Sequence, residues 1–206
     1  MSYSDLNHEE RRALRSDLLD ELNHCQEAEM EDHQTQEDGE LALERALEQW
    51  RECVIEPRGE VCEGPILERY IHEGIEWTWQ ETYKNRAFAW CGAFMSWAWR
   101  ESVSSSVRKK HFASTYRLQK WARDSSRIIE KLEDAREGDI IVIGHKKAWG
   151  DHITIFERRD EGGYWSVEGN AYGEVPEGGG RKEGVIRRWR AESEIFAIYR
   201  PLEADR

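Results

Sequence analysis

Cys91, His152, Glu168 and Asn170 are four residues whose types, taken in this order, could carry out acyl transfer. A thiolate attacks a carbonyl carbon, an imidazole holds or moves the proton, and a carboxylate or amide fixes the imidazole tautomer and steadies its charge. Cys91 lies in Trp90-Cys91-Gly92-Ala93-Phe94-Met95-Ser96-Trp97-Ala98-Trp99, where the polar run Tyr83-Lys84-Asn85-Arg86 gives way to an apolar stretch. Phe94, Trp97 and Ala98 repeat with helical spacing, so Cys91 is expected in the first turn of a buried helix. There the free N–H groups and the positive end of the helix dipole favour thiolate over thiol. A lone cysteine is more often a small buried hydrophobe, and only its partners decide the matter.

Those partners must come from strands. Gly138-Asp139-Ile140-Ile141-Val142-Ile143 reads as a turn into a strand, and Gly150-Asp151-His152-Ile153-Thr154-Ile155-Phe156 as a second strand opened by the histidine. A third run, Tyr164-Trp165-Ser166-Val167-Glu168-Gly169-Asn170, ends in an acid and an amide two residues apart. Strand side chains repeat with period two, so Glu168 and Asn170 are expected on one face, both within reach of one histidine. Glu168 is placed first, because a carboxylate stabilises imidazolium more than an amide does. The expected fold class is α+β: amino-terminal helices, a nucleophile helix, a helix over 115–123 and an antiparallel sheet of about five or six strands. Strands are expected over 139–144, 152–158, 163–168, 184–189 and 195–200, with the cleft between helix and sheet.

Taken in order, these pieces resemble the CHAP domain, the cysteine, histidine-dependent amidohydrolase/peptidase family of the papain-like NlpC/P60 group. The resemblance is carried by Trp90-Cys91-Gly92-Ala93-Phe94, Gly138-Asp139-Ile140, Gly150-Asp151-His152-Ile153 and Glu168-Gly169-Asn170. Upstream, Glu56-Pro57-Arg58-Gly59 and Pro65-Ile66-Leu67-Glu68-Arg69-Tyr70-Ile71 resemble the loop and short helix that lead into the nucleophile of phage-type members. The likeness covers residues 41–201; Asp151 directly before the histidine, and an Arg/Ser-rich stretch between Cys91 and Gly138, depart from the pattern. It implies a nucleophile helix packed on an antiparallel sheet, with Cys91, His152, Glu168 and Asn170 as the catalytic set. It also implies hydrolysis of peptidoglycan amide bonds, as an N-acetylmuramoyl-L-alanine amidase or an endopeptidase, in a phage endolysin or tail-associated lysin. The alternatives are a secreted antibacterial amidase effector, a thiol protease of the same fold acting on protein, and a catalytically silent structural or binding protein. The oxyanion would be held by the Cys91 N–H and one further donor that sequence does not name.

With 206 residues the chain suits one domain of ordinary size plus an extension. Residues 1–50 hold 15 of the 42 acids and only 4 of the 30 bases, so nearly all of the net −12 lies in the first quarter. Ala13, Leu14, Leu18, Leu22 and Cys25 share a helical stripe, and residues 27–39 read as a solvated acidic joint. The expected organisation is an acidic helical extension and linker over 1–40, solubilising rather than partner-binding, and a CHAP-like domain over 41–206. Acidity argues against nucleic acid as a partner, and Arg108-Lys109-Lys110 and Arg187-Arg188-Trp189-Arg190 read as solvated surface. No apolar run reaches the ~18 residues of a membrane span and no signal peptide opens the chain, so cytoplasmic synthesis without membrane insertion is expected. Action on the cell wall would then need a holin, a phage particle or a secretion machine. The four cysteines include no Cys-x-x-Cys pair, which points to a reduced compartment.

Most of the ten tryptophans are expected in the core. Trp77, Trp79, Trp90 and Trp149, with His145 in the loop before His152, are the candidates for contact with substrate, sugar rings included. No spacing suits a metal site, and a thiolate needs no Lewis acid, so no metal or other cofactor is expected.

Overall fold

The structure is a computed structural model that describes residues 8–56, 64–77, 89–125, 127–144 and 151–201. Two compact units divide the chain, Met1–Thr35 and Gln36–Arg206. Helix α1 (His8–Arg51) runs through 44 residues without a break. Residues 27–39, read from the sequence as a flexible joint, are therefore helical. Glu, Gln, Ala and Met are strong helix formers and no proline interrupts them, so propensity prevails over polarity there. In the first unit every residue over 19–33 is exposed, Leu22 and Met30 included.

The second unit is α+β. Helices α2 (Ile66–Gly74, wound as a π-helix), α3 (Cys91–Ala98), α4 (Ser105–Val107, continuing as a π-turn over Arg108–Phe112) and α5 (Thr115–Asp124) precede an open sheet. Strands β1 (Ile128–Ile129), β2 (Ile140–Ile143), β3 (His152–Asp160), β4 (Gly163–Glu174), β5 (Arg181–Ala191) and β6 (Ile195–Tyr199) pair antiparallel in the order β1-β6-β2-β3-β4-β5. Helix α5 and strands β2 to β6 lie where alternation and turn residues placed them. Strands β4 and β5 are longer than expected, because they form one long hairpin closed by the turn Pro176–Gly178. Strand β1, two residues long, carries no periodicity to read.

Helix α3 is apolar on all sides, and all eight of its residues are buried, as such a helix requires. Phe94, Met95 and Ala98 share the main core with Ile140, Val142, Ile153, Ile155 and Val167 of the sheet. Tyr70 of α2 stacks on Trp90 at 5.6 Å and meets Phe94 edge-on at 5.1 Å, which fixes the start of α3. Gly169 of β4 lies under that start; a Cβ there would sit 2.7 Å from the Trp90 ring, so only glycine lets helix and strand close together. The other face of the sheet carries a smaller cluster of Leu132, Ile141, Ile143, Phe156, Tyr164 and Ile198.

A second close approach joins α1 to the turn before β2. A Cβ on Gly138, where φ is +86°, would strike the backbone of Gly39. The Ser102 hydroxyl donates to Asp38 Oδ1 at 3.0 Å, so residues 38 and 39 are packed rather than solvated. Asp139, which follows, is buried and accepts two hydrogen bonds from Arg200, Nε at 2.9 Å and Nη2 at 2.7 Å. The Gly138-Asp139 pair thus closes the domain structurally. Gly138→Ala is expected to cost about 3 kcal/mol, left-handed φ and backbone collision acting together. An unchanged urea midpoint would show that helix and turn separate freely.

Candidate active site

Cys91 is the first residue of α3 and meets the first residues of β3. Its sulfur sits beside the His152 ring and the backbone N–H groups of Gly92 and Ile153, which act on its charge. The N-cap residue, Trp90, offers no side-chain oxygen, so the leading N–H groups of the helix are left for the sulfur and its surroundings. Burial by itself pushes the Cys91 thiol up. The hydrogen bond and charge of His152, with the two backbone donors, outweigh it and hold the thiol below its ordinary value. Burial likewise opposes an imidazolium, yet the hydrogen bonds and charges of Cys91 and Glu168 raise His152 well above its ordinary value. Both directions favour the charged forms, thiolate and imidazolium, and the two groups titrate as a pair.

Glu168 is the far end of this line. Its side chain has no exposed surface, and its Oε2 lies 3.2 Å from His152 Nε2. With Nε2 engaged by the carboxylate, Nδ1 is the ring nitrogen left to exchange a proton with the sulfur. Arg190 of β5 donates from Nε to Glu168 Oε1 at 2.8 Å and from Nη2 to Oε2 at 2.7 Å, and the Ser166 hydroxyl donates to Oε1 at 2.9 Å. Burial pushes the Glu168 carboxyl up, but Arg190 and His152 together hold it well below the usual carboxylate range.

Asn170 follows a break in the strand pattern. Its φ is +57°, and the β4–β5 register slips between Glu168 and Ala171, where Glu168 faces Ile186 and Ala171 faces Gly184. Two residues there oppose one, a β-bulge, so the period-two alternation that would have set Asn170 beside Glu168 is broken. Among the described residues Asn170 has no hydrogen bond to His152, whereas Glu168 has one.

The expected substrate contacts divide in three ways. Trp90 is fully buried, stacked on Tyr70, with Nε1 donating to Glu56 Oε2 at 3.1 Å, and has no surface to offer a ligand. Trp77 is half-buried against the main core. Trp79, His145 and Trp149 lie outside the described residues. The two basic runs are solvated only in part: Lys109, Lys110 and Trp189 are exposed as expected, whereas Arg108 and Arg190 are buried. Arg108 is buried and donates to the carbonyls of Val103, Glu73 and Gly74, while Arg187 forms a bidentate pair with Glu157 at 2.6 and 2.7 Å. Within β5, strand pairing brings Arg187 to Glu157 and Arg190 to Glu168, acids far from them in sequence.

Sequence reasoning missed Ser166, Arg190 and Glu194. Ser166 was within reach, since it alternates with Glu168 on one strand. Arg190 was hidden because pairing across β4 and β5 depends on hairpin register, which the intervening turn and bulge set. Among the described residues no three His, Cys, Asp or Glu side chains converge as a metal site requires, and no helix is long and apolar enough to cross a membrane. No protein-family model, curated protein or solved structure matches the chain.

Proposed function

We propose that the protein is a cysteine amidohydrolase cleaving peptidoglycan amide bonds within a papain-like, CHAP-type architecture. The observation that carries the chemistry is the buried line from Cys91 through His152 to Glu168, whose thiolate needs no further activation. The substrate class rests on the ordered motifs that resemble the CHAP family. The Cys91 sulfur bonds to the scissile carbonyl carbon, and the oxygen takes the negative charge beside the N–H groups that begin α3. Collapse breaks the C–N bond, and the amine leaves with the His152 proton. Water then attacks the thioester while neutral His152 takes its proton, the C–S bond breaks, and the thiolate–imidazolium pair is restored. The proposed setting is lytic, as in a phage endolysin or tail-associated lysin brought to the wall by a holin, particle or secretion machine.

Purified protein is expected to solubilise peptidoglycan and to stop doing so after thiol alkylation. Mass spectrometry of the fragments identifies the bond: new L-alanine amino termini mark an amidase, other new amino termini an endopeptidase. Cleavage of protein with every wall type left intact would replace this function with that of a thiol protease. Release of reducing sugars alone would replace it with a glycosidase.

A further inference from the structure

We propose that Arg190 is a positioning residue that keeps Glu168 ionised and aimed while His152 is neutral. This rests on the thiol site proposed above and deepens it. Glu168 has no exposed surface, and its two oxygens receive four donors: Ser166 Oγ, His152 Nε2, and Nε and Nη2 of Arg190. When the imidazolium releases its proton to a leaving amine, Glu168 loses a positive neighbour but stays buried. A buried carboxylate facing only neutral groups recaptures a proton or holds the last one on the imidazole. His152 could not then act as base toward water. The guanidinium remains charged at every working pH and supplies the second positive neighbour. Its planar fork also holds both carboxylate oxygens, so Oε2 stays directed at Nε2.

Glu194 completes the arrangement from the other side. Arg190 Nη1 donates to Glu194 Oε2 at 2.9 Å, and Glu194 Oε1 accepts the Ala191 N–H at 3.1 Å. Cys91 at the start of α3, His152, Glu168 and Arg190 on three strands, and Glu194 in the turn after β5 thus form a line in which acidic and basic groups alternate. The remaining titratable group near the carboxylate is Tyr164, whose hydroxyl burial keeps neutral.

The test titrates the His152 imidazole by nitrogen-detected NMR in the full chain carrying Cys91→Ala, with His152→Gln to assign the signal. No substrate is needed, so the result is independent of which bond the protein cuts. Adding Arg190→Met is expected to raise the His152 midpoint by about one pH unit or more, because Glu168 then has the imidazolium as its only cation. Arg190→Lys is expected to recover most of that shift. In a Glu168→Gln background Arg190→Met is expected to move the midpoint little, since its effect passes through the carboxylate. A raised midpoint that Glu168→Gln lowers but Arg190→Met leaves in place overturns the role of Arg190 alone. A midpoint near that of free histidine, indifferent to Glu168→Gln, overturns the site itself. Should Arg190→Met fail to fold, Glu194→Gln carries the test, because the amide still accepts from Ala191 but no longer neutralises Arg190. Its His152 midpoint is expected to fall by about half a unit, and a rise or no change overturns the proposal.

Discussion

Replacing Cys91 by alanine is expected to abolish amide cleavage, a loss of about 10⁴-fold or more in turnover, while the sheet and α3 remain folded. Serine at the same position should do no better, because a hydroxyl does not ionise beside the imidazole. Turnover close to that of the parent chain would remove the nucleophile from this residue. The same variant also reports the charge of the resting pair through stability. In the unfolded chain His152 titrates near 6.5 and Cys91 near 9.0. As pH falls below 6.5 the unfolded pair gains a second proton while the folded thiolate resists it, so stability declines. Between 6.5 and 9.0 folded and unfolded pairs each hold one proton, and stability is level. Above 9.0 the unfolded pair holds none, whereas the folded imidazolium keeps its proton until about 10, and stability declines again. With alanine at position 91 His152 loses the neighbour that raises it most, and Glu168 alone holds it up against burial. Its contribution is complete below 6.5 and is lost as pH rises through the folded value, so the level region becomes a descent. Thermal midpoints that stay level in Cys91→Ala would mean that Glu168 by itself does not raise His152.

Glu168→Ala is expected to be the most damaging change to stability, at about 3–5 kcal/mol, because it strands the buried Arg190 and His152 without their shared anion. Glu168→Gln keeps the shape and one acceptor but gives up the charge that steadies the imidazolium. Its turnover is expected to fall by about 10²-fold or more with a much smaller loss of stability. Asn170→Ala, at the bulge, is expected to retain most activity. If that variant lost more than Glu168→Gln, the orienting role would belong to the amide.

The difference between Glu168 and Asn170 shows where local pattern stops being informative. Apolar spacing from Phe94 to Ala98 marked α3, and turn residues followed by alternating apolar side chains marked β2 and β3, because each signal is local and the whole element expresses it. Period-two alternation carried correctly along β4 as far as Glu168. It failed two residues later because a bulge is a property of the paired strands, and nothing in Glu168-Gly169-Asn170 announces a slip against β5. The same reason hid Arg190, whose run of like charge reads as surface until its strand is laid beside Ser166 and Glu168. Residues 27–39 failed differently, since composition suited both a solvated linker and a helix, and helix propensity with the fit of Gly39 against Gly138 decides for the helix.

Cys91 and His152 belong to elements far apart in the chain, and the anion that holds the imidazolium is itself held from β5. Contacts of such long sequence separation must close long loops, and the arrangement is complete only when β3, β4 and β5 are paired. Until then the sulfur is an ordinary thiol with a small fraction of thiolate at neutral pH. A chain still emerging from the ribosome exposes Cys91 well before Arg190 has been synthesised. During translation, or in any passage that unfolds the protein, the cysteine is therefore slow toward electrophiles and oxidants. In the thiol mechanism proposed above, completion of the sheet is therefore the event that activates the sulfur.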